Sequence, residues 1–78
     1  MLTVLIRPKA GILDPQGEAV ERSLRQLGFE VGEARVGRVI DLEVDASTAE
    51  EARTQLERMC ENLLANPLIE SYEIEVQA

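Results

Sequence analysis

The sequence predicts an α+β fold: a two-layer sandwich with a mainly antiparallel sheet and two helices on one face, in the order β-α-β(β)-α-β, related to the ferredoxin-like superfold. Three observations predict it. "LTVLIR" (2–7) places Leu2, Val4 and Ile6 on one face of a strand. Two segments carry apolar residues at the 3–4 spacing of amphipathic helices. Between them, residues 30–46 keep their apolar side chains on the even positions, the period of a half-buried strand.

Each element follows from local chemistry. After the first strand, "PKAGILDPQG" (8–17) holds two prolines, two glycines and an aspartate. Asp14-Pro15 is a helix start: a carboxylate for orphan amides, then a ring that presets φ at the first helical position. Val20, Leu24 and Leu27 form the apolar stripe of that helix, Glu18–Arg22 and Glu21–Arg25 are i,i+4 pairs on its outer surface, and Gly28 closes it as a left-handed cap. In "EVGEARVGRVIDLEVDA" (30–46) the even positions run Ala34, Val36, Arg38, Ile40, Leu42, Val44, Ala46 without a break. A two-residue turn at Gly37-Arg38 would put Val36 and Ile40 on opposite faces. The preferred reading is one long central strand bent near Gly37, with an odd-length hairpin loop as the alternative. A strand that long projects beyond its own domain and seeks a partner. "STAE" (47–50) has capping-box form with Ser47 as cap and Glu50 reaching back. The second helix aligns Ala49, Ala52, Leu56, Met59, Cys60, Leu63 and Leu64, and "ANP" (65–67) ends it. The last strand, about 69–77, alternates Tyr72, Ile74 and Val76 with Ser71, Glu73 and Glu75.

The 78 residues form one domain, 1–78. At this size one apolar core supplies only about 3–5 kcal/mol, so such chains gain from association. A single cysteine, Cys60, allows no internal disulfide, and the absence of histidine argues against a metal site. The lone thiol suits a reducing cytoplasm, and the first apolar run is far too short for a membrane span. A net charge of −7 repels polyanions, and two aromatics are too few for a base-stacking sheet, so neither nucleic acid nor membrane is an expected partner.

Each chemical reading of these residues has a plain structural alternative. "PKAGILDPQG" lacks the Gly-Lys-Ser/Thr of a phosphate loop, and Asp14 competes for the helix amides, so a connector is preferred to an anion site. The element order matches acylphosphatase-like enzymes, with Arg7 as a possible phosphate cradle. The asparagines that would position water, Asn62 and Asn66, lie at the far end of the second helix. Glu50-Glu51 and Glu73/Glu75 read as wet surface, and Cys60 as a buried, inert thiol. Arg35 and Arg38 flank Gly37; a bidentate contact to a partner carboxylate and an internal bridge are equal readings there. No catalytic constellation is complete. On residues alone the chain is a small oligomeric or accessory domain.

Three segments together resemble a known family: "RPKAGILDPQGEAVERSLRQLGF" (7–29), "ARVGRVIDLEV" (34–44) and "MCENLLANPLIESYEIEV" (59–76). They are similar to the PurS-type small subunit of phosphoribosylformylglycinamidine synthase, in order and over almost the whole chain. Where the family commonly has Gly-Lys at the strand bend, this chain has Gly37-Arg38. The resemblance implies a non-catalytic accessory subunit, itself a homodimer or tetramer. It would join a large ATP-dependent synthetase subunit and a glutaminase subunit in a C–N ligase complex. That complex makes formylglycinamidine ribonucleotide from formylglycinamide ribonucleotide, ATP and glutamine in purine biosynthesis. No cofactor is expected on this chain; ATP and magnesium would belong to the large subunit. The expected homodimer forms by sheet extension through 30–46. Arg7, Lys9, Asp14, Gln16, Arg35, Gly37 and Arg38 are the candidates for contact with partner subunits. The alternative from another class is a regulatory α+β module that dimerises around a small effector.

Overall fold

The computed structural model describes residues 1–76. Strand β1 (Leu2–Pro8) is central in a three-stranded antiparallel sheet, flanked by β2 (Arg38–Leu42) and β3 (Glu70–Val76) in the order β2-β1-β3. Helix α1 (Pro15–Gln26) joins β1 to the β2 region, and α2 (Ala49–Met59) joins β2 to β3. The α+β class and the antiparallel sheet agree with the reading of the sequence. The residue expected to end the last strand, 77, lies outside the described residues.

Register sets the core. Leu2, Val4 and Ile6 stand opposite Leu42, Ile40 and Arg38 on one side and Val76, Ile74 and Tyr72 on the other. Paired residues share a face, so the alternating apolar positions of all three strands form one inner surface. Leu2, Val4 and Ile6 are buried there with Ala52, Leu56 and Cys60 of the α2 segment and Ala65 beyond it. Cys60 is the buried thiol the sequence suggested, and desolvation pushes its pKa up.

Local starts and stops follow elementary chemistry, with one shift. The Asp14 carboxylate accepts from the Gly17 amide at 3.1 Å, with Pro15 opening α1. The other end is a Schellman motif: Gly28 has φ +96°, its amide donates to the Arg25 carbonyl, and the Phe29 amide donates to Leu24. The second helix begins one residue later than expected. Thr48, not Ser47, is the cap; its Oγ1 accepts from the Glu51 amide at 3.1 Å, and Glu51 Oε2 accepts from the Ser47 amide at 3.2 Å. "TAEE" satisfies the capping-box pattern as well as "STAE" does, so the local pattern alone does not choose between the two starts. The helix widens at its end: the Ala65 amide reaches back to the Cys60 carbonyl at 3.1 Å, a π turn over Cys60–Leu64. Leu63 is thereby left 82% exposed.

Two features differ from the expectation of a long central strand under two helices. The β1–β2 ladder stops at Ile6–Arg38, and residues 30–37 pair with no strand of their own chain. The cause is that β1 ends at Pro8, which has no amide to offer, and the chain then turns away. Within one chain, moreover, α2 alone supplies the helical side of the core. Gly17 is the one buried residue of α1, and Val20 and Leu27, from its apolar stripe, are 41% and 74% exposed.

The reason is visible in the path of the chain. Residues 30–37 run back along α1: Arg25 donates to the carbonyls of Val31 and Gly32, Gly17 abuts the Ala34 carbonyl, and the Val36 amide donates to Asp14 Oδ2 at 2.8 Å. Twelve helical residues span about 18 Å and eight extended ones about 26 Å, so the two lie side by side as an arm. The molecule measures 51 × 27 × 14 Å with a radius of gyration of 15.7 Å. A compact chain of this length would have about 11.5 Å. The arm projects.

Candidate interface site

The candidate residues gather where the arm leaves the sheet. Loop 9–14 is tied down on both sides. The Lys9 amide donates to the Ile69 carbonyl at 2.9 Å, and Lys9 Nζ donates to the Pro67 carbonyl at 2.6 Å. The Arg35 guanidinium donates to the carbonyls of Lys9 at 2.8 Å and Ile12 at 3.2 Å. Arginine suits this position because its planar fork can satisfy two carbonyls at once.

Asp14 is the pin of the arm. One carboxylate oxygen starts α1 and the other holds Val36, which fixes the returning segment against the helix it follows. The Val36 and Gly17 amides, then the charge of Arg35, hold its pKa below the usual carboxylate value. The anion therefore persists through neutral pH, and this contribution to stability disappears only as acid protonates the folded carboxyl. Gly17 and Gly37 are required by close approach. A Cβ on Gly17 would meet the Ala34 carbonyl oxygen, and one on Gly37 would meet the Ile6 carbonyl oxygen.

Arg38 clamps the opposite edge. Nη1 and Nη2 donate to the two Glu70 carboxylate oxygens at 2.8 and 3.0 Å, and Nη2 also donates to the Leu64 carbonyl at 2.8 Å. Glu70 Oε1 in turn accepts from the Asn66 amide at 2.8 Å, and Arg38 and that amide together lower the Glu70 pKa. The bidentate pair links the start of β2 to the start of β3 across β1. Both arginines of this bend make internal contacts: Arg35 bonds two carbonyls and lies 3.5 Å from the Glu33 carboxylate, and Arg38 clamps Glu70. Arg7 lies 3.7 Å from Glu73, an exposed pair that contributes little to stability. Gln16 is exposed on the first turn of α1.

The structure thus brings Lys9, Asp14, Arg35, Gly37 and Arg38 into one hinge and leaves Arg7 and Gln16 on its margins. Sequence reasoning missed Glu70 and the carbonyls of Leu64 and Pro67 as their partners. No short motif carries such long-range pairings. It also missed Leu13, 72% exposed beside the hinge, which the "GILD" turn could have suggested as an apolar residue at a loop tip.

Tyr72 makes a separate contact above the sheet. Its hydroxyl donates to Glu61 Oε1 at 2.9 Å, and this carboxylate, with desolvation, pushes the phenol up to about 12. An unfolded tyrosine ionises near 10, so between those values the folded chain keeps a proton that the unfolded chain has lost. Stability from this contact should be complete below pH 10 and decline toward pH 12. Denaturant melts across that range should show a shallower decline for Tyr72→Phe than for the parent chain, and parallel profiles would contradict the contact.

Among the described residues no cluster of three or more histidine, cysteine or carboxylate side chains is placed to hold a metal, and no helix is long and apolar enough to cross a membrane. The fold and its hinge define a class: a small α+β chain whose charged residues at the candidate site fasten one element to another and whose sheet edge and arm remain open. The family model PurS, described as phosphoribosylformylglycinamidine (FGAM) synthase, matches residues 1–78. The phosphoribosylformylglycinamidine synthase subunit PurS of Methanocaldococcus jannaschii is 41% identical over 76 residues, covering 96% of this chain and 92% of that protein. PurS of Bacillus subtilis superposes with a TM-score of 0.87 at 35% identity, covering 99% of this chain and 96% of the other. A chain of PurLQS from Thermotoga maritima gives 0.85 at 37% identity, covering 95% and 93%. The chain belongs to the PurS family, the small subunits of phosphoribosylformylglycinamidine synthase.

Proposed function

We propose that this chain is the accessory subunit through which a phosphoribosylformylglycinamidine synthase complex is assembled and made to use glutamine. A large synthetase subunit, carrying ATP and magnesium, and a glutaminase subunit supply the chemistry. This chain, a single domain over 1–78 working in the cytoplasm, supplies architecture. The observation that carries the reading is the projecting arm: residues 30–37 without a strand partner beside a helix without a core. A monomer with that geometry leaves both apolar area and backbone groups unused, and association recovers both.

The homodimer proposed here forms by sheet extension. A twofold axis near Gly37 would set residues 30–36 of one copy antiparallel to 38–44 of the other, on the β2 edge that β1 does not occupy. The hinge would then contact the other subunits through Leu13, Gln16 and the outer surfaces of the Lys9, Arg35 and Arg38 ties, with Arg7, Asp14 and Gly37 holding them in position. Support for this comes from its rigidity, since a preorganised surface loses little entropy on binding. Solution mass at micromolar concentration should be that of a dimer or a multiple of it, and co-elution with the large and glutaminase subunits should follow on mixing. A stable monomer would remove the sheet-extension reading, and separate elution would remove the assembly reading.

A further inference from the structure

The sheet has a second edge. With β2 taken up by another copy, β3 is the outermost strand on each side of the extended sheet. Parity shows which of its backbone groups stay open. The Lys9 amide donates to the Ile69 carbonyl at 2.9 Å, in register with the Arg7–Ser71 and Leu5–Glu73 pairs, so the odd residues of β3 turn their amides and carbonyls toward β1. The even residues Tyr72, Ile74 and Val76 turn theirs outward. Arg53 agrees with this direction: it reaches from α2 and donates to the Ile74 carbonyl at 3.4 Å. Among the described residues the outward amides of Tyr72 and Ile74 have no acceptor.

Nothing in the strand itself blocks an added neighbour. Residues 70–76 contain neither proline nor glycine, and their register with β1 runs without a bulge. Tyr72 and Ile74 are half-buried on the inner face and Val76 is exposed, so a further strand would cover apolar area as well as satisfy amides. Charge decides what kind of strand fits. Glu73 and Glu75 are exposed on the outer face of the edge. On the inner side Glu61 accepts from the Tyr72 hydroxyl, and Glu57 lies close enough to raise the same phenol. The cations beside them are Arg53 and Arg7, the latter 3.7 Å from Glu73. A second copy of β3 is therefore a poor occupant. Full antiparallel overlap sets Glu73 against Glu73, and a shift of one pair sets Glu73 against Glu75. Like charges directly opposite destabilise a ladder.

We propose that β3 is a docking edge for an extended segment of a different polypeptide, another subunit of the complex. That segment is basic where it faces Glu73 and Glu75 and apolar where it lies beside Tyr72 and Ile74. The docking rests on the assembly reading of this chain and deepens it by assigning a surface and a mode of recognition. Main-chain bonds to the outward groups of Tyr72 and Ile74 supply affinity, and the alternating side chains supply specificity. The Ile74 carbonyl can accept a second bond beside the long one from Arg53, because it has two lone pairs. β3 and β2 lie on opposite sides of β1, so the docking edge and the copy-to-copy edge can be occupied together.

The test is amide hydrogen exchange on the full-length chain, alone and in the complete complex with the large and glutaminase subunits. Alone, the Tyr72 and Ile74 amides should exchange quickly while the Glu73 amide, bonded to β1, is protected. In the complex, exchange at Tyr72 and Ile74 should slow by at least about tenfold. Unchanged exchange at both residues in a complex that has formed overturns the docking edge. Protection of both in this chain alone, rising with its concentration, overturns the foreign occupant in favour of a second copy. Glu73→Lys combined with Glu75→Lys gives an independent reading, because both side chains are exposed and the fold should be retained. The Kd for the complex should rise at least about tenfold as like charges meet. Assembly of this variant with parental affinity overturns the basic occupant. If the parent chain does not co-elute with the other subunits, the assembly reading fails first and the docking edge with it.

Discussion

Leu56→Ala should lower the stability of the chain by about 2–5 kcal/mol, the cost of removing buried aliphatic volume that the surroundings cannot refill. Leu56 is fully buried, among Val4, Ile6 and Cys60 in the centre of the core. The cavity would have strands on one side and a helix on the other, and sheet hydrogen bonding limits how far either can collapse into it. Against a core contribution of about 3–5 kcal/mol for a chain this small, the loss is close to the whole margin. Thermal melting should fall by tens of degrees at low protein concentration, at about 4–8 °C for each kcal/mol. Higher concentration should restore part of it, because association adds to stability by mass action. A melting point within a few degrees of the parent would mean that α2 does not pack as described.

Gly37→Ala should produce the second large effect, through backbone rather than core. The new Cβ would meet the Ile6 carbonyl oxygen, with Ile6 C at 3.2 Å and Arg7 Cα at 3.3 Å, all main-chain atoms of β1. None of these can retreat as a side-chain tip would. Relief must come from moving residue 37 away from β1, which strains the Ile6–Arg38 pairing and the Arg38–Glu70 clamp beside it. A destabilisation of about 1–3 kcal/mol is expected from such overpacking. A second consequence distinguishes this variant from Leu56→Ala. Gly37 sits at the root of the arm, so the angle between arm and sheet should change, and association should weaken even where the core survives. Equilibrium denaturation read together with solution mass checks both. Unchanged solution mass with unchanged stability would show that the hinge tolerates a side chain.

What the residues revealed in advance was mostly local. Leu2, Val4 and Ile6 alternate because one face of β1 is buried, and that period is readable without a partner. Asp14-Pro15 and Gly28 announce the ends of α1 because their chemistry acts within four residues. The capping box slipped by one because Thr48 and Glu51 satisfy the same pattern as Ser47 and Glu50. The spacing of Val20, Leu24 and Leu27 marks a face in need of burial, yet within one chain Val20 and Leu27 stay 41% and 74% exposed. Periodicity reports that need but not which molecule meets it. Residues 30–46 teach the same lesson: their parity marks a single extended passage, yet the ladder within one chain is limited by where β1 ends. The hinge was legible as a cluster of unusual residues, Asp14, Arg35, Gly37 and Arg38. Its pairings with Leu64, Pro67 and Glu70 join distant parts of the chain, and nothing in local sequence encodes them.

The role proposed for this chain is the assembly of other chains. Its most direct test is the rate of glutamine-dependent formation of formylglycinamidine ribonucleotide by the large and glutaminase subunits, with ATP and magnesium, measured with and without this subunit. A large gain is expected when the chain is added, saturating at a fixed ratio to the large subunit and reduced for Gly37→Ala. A full rate from the two other subunits alone would contradict it.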